Sequence, residues 1–303
     1  MYIIIIMLLY IFSLGCVSAP ESNRNKSLYN SVYYAQQAGS IIGKPGKHIV
    51  QDRETFAQIA RKYNIGFNEL TDLYPAIDPW IPPEGKELLI PTQWILPGIE
   101  KRGIVINIAE MRLYDFGDSG ATIYTYPVGI GDNTWETPQG SFKIVTKTED
   151  PTWFVPKSLQ KKYGVKKIAP GPRNPLGKHW LGLDKDGYGI HGTNFPLSIG
   201  RRVTHGCIRL YPDDIKELYE RTEEGTNVTI LYEPIKIGML NGRIYVEAHH
   251  DIYNNIDDYF LHGLDLLTRS NLTWNVNMKK FRLTLERKCG FPVDVTAEEF
   301  PAS

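Results

Sequence analysis

Residues 190–210 read IHGTNFPLSIGRRVTHGCIRL, a stretch that places two histidines and an arginine near one cysteine. A cysteine attacks as its thiolate, and a free thiol has a pKa of about 8.5, so a nearby imidazole or positive charge must favour ionisation. Along the chain, His191, His205 and Arg209 are suitably placed to do this for Cys207. The stretch therefore predicts a cysteine nucleophile with a histidine base, the combination that serves acyl transfer through a thioester.

Gly206, immediately before the cysteine, lets backbone amides approach a reacting carbonyl oxygen, as an oxyanion hole requires. Two plainer interpretations compete with catalysis. A single cysteine in a β-rich protein is usually a small buried hydrophobic residue, and His-Gly-Cys alone is a weak signal. A zinc site is the other alternative, but two histidines and one cysteine do not match the common paired spacings of zinc ligands.

The whole segment resembles the hallmark of the YkuD-type L,D-transpeptidase family. That hallmark is a His-Gly pair, a gap, and then Ser/Thr-His-Gly-Cys followed by an apolar residue and Arg or Asn. Two further stretches are similar to the family, namely YPVGIGDNTWETPQGSFKIVTK at 126–147 and PIKIGMLNGRIYVEAH at 234–249. A likeness of this length is much more specific than the tripeptide.

The resemblance implies a role for each residue of the segment. Cys207 would attack the L-to-D peptide bond of a peptidoglycan tetrapeptide stem, with His191 as general base. The backbone carbonyl of Gly192 would orient that imidazole, and Arg209 would stabilise the loop or a substrate carboxylate. The amides of the oxyanion hole would come from His205, Gly206 and Cys207. Candidates to line the pocket, although more often core residues, are Trp135, Trp180 and Tyr188.

The same resemblance implies the partners. The thioester would pass to an amine, on a second stem or on a lysine of a wall protein, which gives a 3-3 cross-link or a protein attachment. No metal and no organic cofactor is needed, because the thioester holds the acyl group covalently. An L,D-carboxypeptidase, which uses water as acceptor, is the alternative within the enzymes. A non-catalytic wall-binding protein is the alternative outside them.

The N-terminus predicts export. The first fifteen residues, MYIIIIMLLYIFSLG, are almost wholly apolar and uncharged, and they are too short to span a bilayer comfortably. Residues 1–19 are therefore predicted to be a signal peptide. The sequence Ser13-Leu14-Gly15-Cys16 resembles a lipoprotein processing site, which would cleave before Cys16 and attach the protein to a membrane; cleavage after Ala19 is the alternative. The expected location is the periplasm or cell envelope.

Residues 20–46, rich in Ser, Asn, Gln and Gly, are predicted to be a polar tether. Residues 47–92 follow a strand–helix–helix–strand pattern, in which Phe56, Ile59, Ala60 and Tyr63 have helical spacing. This unit resembles a LysM module, which implies binding to the glycan of peptidoglycan. A packing subdomain that binds no sugar is the alternative.

Residues 101–233 consist of short runs rich in Val, Ile, Thr and Tyr, broken by Gly and Pro, with one helix expected from Asp213 to Arg221. The predicted fold is therefore multidomain, a small α/β LysM module followed by a mainly-β, sandwich-like catalytic domain. Residues 234–303 are treated as a C-terminal extension with a strand pair near Ile235–Val246.

Composition argues against one broad class of binding partner. Lys plus Arg and Asp plus Glu both number 34, so the formal net charge is zero, which argues against nucleic acid as a partner. The three cysteines, Cys16, Cys207 and Cys289, form no C-x-x-C pair. They therefore predict neither a disulfide framework nor a paired metal site.

Overall fold

The computed structural model describes residues 32–34, 40–99, 101–117 and 120–298. The predicted signal peptide, with Cys16, lies outside these ranges. Within them, no helix is long and apolar enough to cross a membrane.

The N-terminal unit consists of short strands around two helices. Its elements are β1 (Val32–Tyr34), β2 (Ile41–Gly43), β3 (Gly46–Ile49), α1 (Phe56–Lys62), α2 (Phe67–Leu73), β4 (Glu87–Ile90) and β5 (Gln93–Ile95). Thr55 caps α1, since its hydroxyl accepts from the Gln58 amide while the Gln58 side chain accepts from the Thr55 amide. β3 pairs antiparallel with β4. The strand–helix–helix–strand order thus matches the predicted pattern, whereas the identity of the unit as a LysM module stays a prediction.

The central part of the chain is mainly β. Its elements are β6 (Ile104–Asn107), β7 (Arg112–Asp115), β8 (Thr122–Pro127), β9 (Ile130–Gly131), β10 (Gly140–Glu149), β11 (Trp153–Phe154), α3 (Lys157–Tyr163), β12 (Lys167–Ile168), β13 (His179–Leu183), β14 (Gly189–His191), β15 (Arg202–Thr204), β16 (Ile208–Arg209), α4 (Pro212–Arg221) and β17 (Asn227–Leu231). Nine strands form one sheet in the order β1-β8-β7-β6-β17-β10-β13-β14-β16. The mainly-β prediction for this domain is confirmed.

The long strand β10 joins the two halves of that sheet. Its first part pairs with β17 and its second part with β13, and the register shifts between Ile144 and Thr146. Side chains from both halves meet in one core, in which Ile106 from β6 lies with Leu181 from β13. The expected sandwich is therefore one sheet continuous through β10 and not two separate sheets.

The C-terminal unit contains β18 (Ile235–Leu240), β19 (Arg243–Ala248), α5 (Tyr259–Arg269), α6 (Met278–Arg287) and β20 (Val293–Asp294). The strand pair was predicted, but both helices were missed. Each helix has a side-chain cap, since Asp258 accepts from the Leu261 amide and Asn277 from the Lys280 amide. Phe281 and Leu267 pack in the core of this unit.

The predicted tether is wrong in two places. Val32–Tyr34 adds an edge strand to β8, and Ile41–Gly43 pairs with β5. β-branched and aromatic residues favour strands, and here they outweigh the polar average of residues 20–46. The N-terminal unit is consequently attached to the central domain by the pairing of β1 with β8 as well as by the chain itself.

The N-terminal unit also packs directly on the outer face of the sheet. Because side chains alternate along a strand, Ile104 and Ile106 of β6 face the catalytic core, whereas Val105 faces the opposite way. Val105 lies in one hydrophobic cluster with Phe56 and Leu88 of the N-terminal unit. The two units therefore share a core.

A buried ion pair crosses this shared core. Arg112 Nη2 lies 2.6 Å from Glu69 Oε2, and the two side chains are only 1% and 3% exposed. Glu69 also accepts from the Trp94 indole at 2.8 Å, and the Arg112 guanidinium lies over the Trp94 ring at 4.0 Å. The pair thus has the additional contacts that a buried charge requires.

A second buried cluster joins all three units. The Lys236 ammonium contacts both Glu110 and Glu247, and Glu247 accepts from the Ile95 amide and from His249. Burial alone would raise the pKa of Glu247, but Lys236 and His249 lower it to about 2. This ionised carboxylate fixes the C-terminal unit to β5.

We expect Glu69→Ala to lower the free energy of unfolding by about 3–5 kcal/mol, because it leaves the Arg112 charge buried without a counter-charge. Urea denaturation followed by circular dichroism measures the change. The control is Lys47→Ala, which removes an exposed ion pair with Glu87 and should leave the midpoint nearly unchanged. Equal midpoints for Glu69→Ala and the wild type would show that this pair does not stabilise the fold.

Candidate active site

Strand pairing brings the two halves of the predicted site together. β14 and β16 are parallel neighbours, with Ile190 opposite Ile208 and His191 opposite Arg209. Cys207 directly precedes β16 and so lies at the same edge of the sheet. His191, His205, Cys207 and Arg209 all line one cavity of about 460 Å³.

His191 is held by its own neighbour. Its Nδ1 lies 2.6 Å from the Gly192 carbonyl oxygen, which can only accept, so Nδ1 carries the proton and Nε2 keeps a lone pair. The ring stacks on Trp180 with 5.7 Å between centroids. Burial and the charge of Arg209 lower the pKa of His191 to about 3. The imidazole is therefore neutral at ordinary pH, with one ring nitrogen available as a base.

Cys207 is a protonated thiol at rest. Burial raises its pKa to about 11, although a Gly189 amide and the charge of Arg209 act in the opposite direction. Its Sγ donates to the Gly187 carbonyl oxygen at 3.4 Å. A neutral thiol and a neutral imidazole therefore face one cavity, and the thiol must lose its proton as it attacks.

Position 206 requires a glycine because of its backbone conformation and the close packing around it. Its φ is +97°, and a Cβ there would lie 2.6 Å from the ring of Tyr188. Its N–H donates to Thr204 Oγ1 at 3.1 Å, and that hydroxyl donates to the Cys207 carbonyl oxygen at 2.7 Å. The Gly206 amide that the sequence assigned to the oxyanion hole is thus already engaged. Within the described residues, the amides of His205 and Cys207 remain for that task.

Arg209 is a cation without a carboxylate partner in the described part of the chain. Its buried Nε has no hydrogen-bond partner there, and burial lowers its pKa. A charge held in this way favours the thiolate of Cys207 and can accept an anionic group of a ligand.

The three aromatic candidates have different positions. Trp180 lines the cavity. Trp135 instead contacts the ring of His205, with centroids 5.8 Å apart, and Tyr188 packs against Gly206.

Burial lowers the pKa of His205, and the nearby Lys162 lowers it further.

Sequence reasoning missed one wall of the cavity, formed by residues 151–177, which we call the flap. β11 and β12 pair antiparallel and α3 lies between them in sequence. Fully buried Asn174 donates to the Pro151 carbonyl oxygen at 2.7 Å and closes the base of the flap. The flap residues that line the cavity are Pro151, Thr152, Trp153, Phe154, Pro156, Leu159, Tyr163, Pro175 and Leu176. Its turn-rich sequence carried no pattern that placed it over the nucleophile.

Sequence reasoning also missed Tyr253, a residue of the C-terminal unit. Tyr253 OH donates to the Gly131 carbonyl oxygen at 2.8 Å and accepts from the Thr137 amide at 3.3 Å. These bonds hold the ends of the 131–137 loop, which carries Trp135 against His205. No sequence signal marked this tyrosine.

Elsewhere, Glu110, Glu247 and His249 lie close enough together to hold a metal ion. The Lys236 ammonium already lies against both carboxylates. A metal ion would have to displace it, so we assign this group a structural role.

A neutral imidazole, a thiol and an arginine without a carboxylate partner among the described residues thus line one cavity. The family model of the YkuD L,D-transpeptidase catalytic domain matches residues 101–230. The Escherichia coli K12 protein YcfS, named a probable L,D-transpeptidase, is 39% identical over 234 residues, which cover 73% of each chain. ErfK/SrfK of the same strain is 32% identical over 82% of this chain and 84% of its own. The chain belongs to the L,D-transpeptidase family, whose substrate is peptidoglycan.

One solved relative is the catalytic domain of the E. faecium L,D-transpeptidase. It is 24% identical, the match covers 45% of this chain and 100% of that one, and the TM-score is 0.36.

The pH dependence of acylation should identify the base. We expect the wild-type rate to fall on the acid side only near the His191 pKa of about 3. His191→Ala should cut the rate at neutral pH on the order of 10²-fold or more. Its residual rate should rise tenfold per pH unit toward the Cys207 pKa of about 11, because only the free thiolate then reacts.

His205→Ala is the matched control, since this residue lies in the same cavity wall. Its rate should keep the wild-type pH profile. The opposite pattern in the two variants, measured by rapid-quench acylation, would assign the base to His205.

Proposed function

We propose that the protein is a cysteine-dependent L,D-transpeptidase that acts on tetrapeptide stems of peptidoglycan through a thioester at Cys207. The observation that carries this proposal is the single cavity in which the thiol of Cys207, the neutral imidazole of His191 and the unpaired Arg209 meet. The donor would be the stem, and the leaving group would be the terminal D-Ala.

The first half-reaction follows from the two pKa values. Because both groups are neutral at rest, Cys207 Sγ attacks the carbonyl carbon of stem residue three while its proton passes to His191 Nε2. The tetrahedral oxyanion is stabilised by the amides of His205 and Cys207. As the peptide bond breaks, His191 returns the proton to the amine of the leaving D-Ala, and the thioester remains.

The second half-reaction needs an acceptor. An amine attacks the thioester carbonyl, gives its proton to His191, and releases Cys207 as a thiol. The flap lines the cavity with apolar side chains, among them Trp153, Phe154 and Leu159. An apolar wall next to the thioester favours an amine of a second stem, or of a lysine on a wall protein, over water as the acceptor.

The N-terminal unit fits a supporting role. Its assignment as a LysM module would make it the glycan-binding part, and Trp80 and Ile81 are exposed on it at 48% and 75%. Exposed aromatic faces suit sugar rings. Export to the periplasm or cell envelope, with or without a lipid at Cys16, would bring the enzyme to this substrate.

The reaction products that the purified protein forms test the proposal. We expect incubation with a synthetic tetrapeptide donor and an amine acceptor to release D-Ala and to give the donor–acceptor amide, detected by mass spectrometry. Cys207→Ala should abolish both. Cys289→Ala is the matched control, because Cys289 is also a partly buried free thiol with a raised pKa, and it should retain full activity.

Two results would contradict this proposal. Release of D-Ala with only the hydrolysed tripeptide, even at high amine concentration, would make the protein an L,D-carboxypeptidase. Binding to peptidoglycan without any turnover would make it a wall-binding protein.

A further inference from the structure

The flap is strongly basic although the chain as a whole is neutral. Between residues 151 and 177 six side chains are Lys or Arg and none is Asp or Glu. The six cations, all exposed, are Lys157, Lys161, Lys162, Lys166, Lys167 and Arg173. Such a local excess of one sign attracts ligands of the opposite sign.

Two of these cations neighbour residues that line the cavity. Lys167 pairs with Phe154 across β11 and β12, and directly opposite residues of an antiparallel pair project on the same face. Phe154 lines the cavity and is 75% exposed, so Lys167 stands at the cavity rim. Lys162 is next in sequence to the cavity residue Tyr163. Its charge is close enough to lower the pKa of His205, which also lines the cavity.

None of the flap cations forms an ion pair with a carboxylate of the described residues, in contrast to Lys47, Lys216 and Lys236 elsewhere in the chain. Arg209 lines the cavity, and its buried Nε also lacks a hydrogen-bond partner among the described residues. Uncompensated cations thus stand beside the cavity and on its wall. An anionic ligand would neutralise them.

We propose that the flap selects donor peptides by their free carboxylates, with Lys162 and Lys167 binding carboxylates at the rim while Arg209 faces one near the scissile bond. This inference rests on the proposed function, because it assigns the charge of the donor that Cys207 attacks. Charge-assisted hydrogen bonds of lysine and arginine to carboxylates provide the recognition.

A pair of synthetic tetrapeptide donors, identical except that their side-chain and branch carboxylates are free or amidated, tests the proposal. For the free-carboxylate donor we expect the double variant Lys162→Gln/Lys167→Gln to raise KM about five- to tenfold, since each exposed charge contact contributes modestly, with kcat little changed. Added salt should reproduce this rise in the wild type. For the amidated donor, the double variant and the wild type should have the same KM.

The control is Lys279→Gln, which removes an exposed lysine of α6 and should leave both KM values unchanged. A KM that rises equally for both donors in the double variant would overturn the proposal. The lysines would then support the structure of the flap and would not recognise carboxylates of the donor.

Direct binding separates this proposal from the proposed function. Calorimetry with Cys207→Ala protein, which cannot be acylated, should show the free-carboxylate donor binding about five- to tenfold more tightly than the amidated one. Equal affinities would overturn the proposal even if the wild type is an active transpeptidase. Loss of binding to vesicles containing anionic phospholipid in the double variant, with donor affinity unchanged, would also overturn it and assign the flap to a membrane surface.

Discussion

The parallel pairing of β14 with β16 is the constraint on which the site depends. It sets His191 opposite Arg209, and Cys207 directly precedes the second strand. Parallel neighbours require a long connection between them, and here residues 192–207 make it, carrying Thr204, His205 and Gly206 to the cavity. Cys207, His191 and Arg209 therefore lie on or directly beside two neighbouring strands that backbone hydrogen bonds hold together.

Burial sets the chemistry at that edge. It raises the pKa of Cys207 to about 11 and lowers that of His191 to about 3, so the resting pair is uncharged. A preformed thiolate–imidazolium pair would need compensation in this low-dielectric cavity, whereas the neutral pair needs none. In the proposed reaction, charge develops only during attack, where Arg209 and the amides of His205 and Cys207 can stabilise it. Nε2 of His191 keeps its lone pair for this step because the Gly192 carbonyl oxygen accepts from Nδ1.

The sequence predicted the site residues that lie close together in the chain. The histidines, Cys207 and Gly206 lie in one short stretch, and a resemblance over that stretch identified the family. The hydrogen bond from the Gly206 amide to Thr204 was not predicted, because it depends on the turn geometry, which residue types do not determine. The helix after Asp258 was missed although its cap and apolar spacing are visible. By contrast, the docking of Val105 against the N-terminal unit is a long-range contact that no local pattern predicts.

The most direct test of the account is the position of the acyl group during turnover. Acid quenching within the first turnovers, followed by proteolysis and mass spectrometry, locates a thioester formed from an isotope-labelled tetrapeptide donor. The account predicts the labelled acyl group on the peptide that contains Cys207, and its loss on treatment with hydroxylamine. Turnover with the label on another residue, or with no covalent intermediate at any quench time, would contradict it.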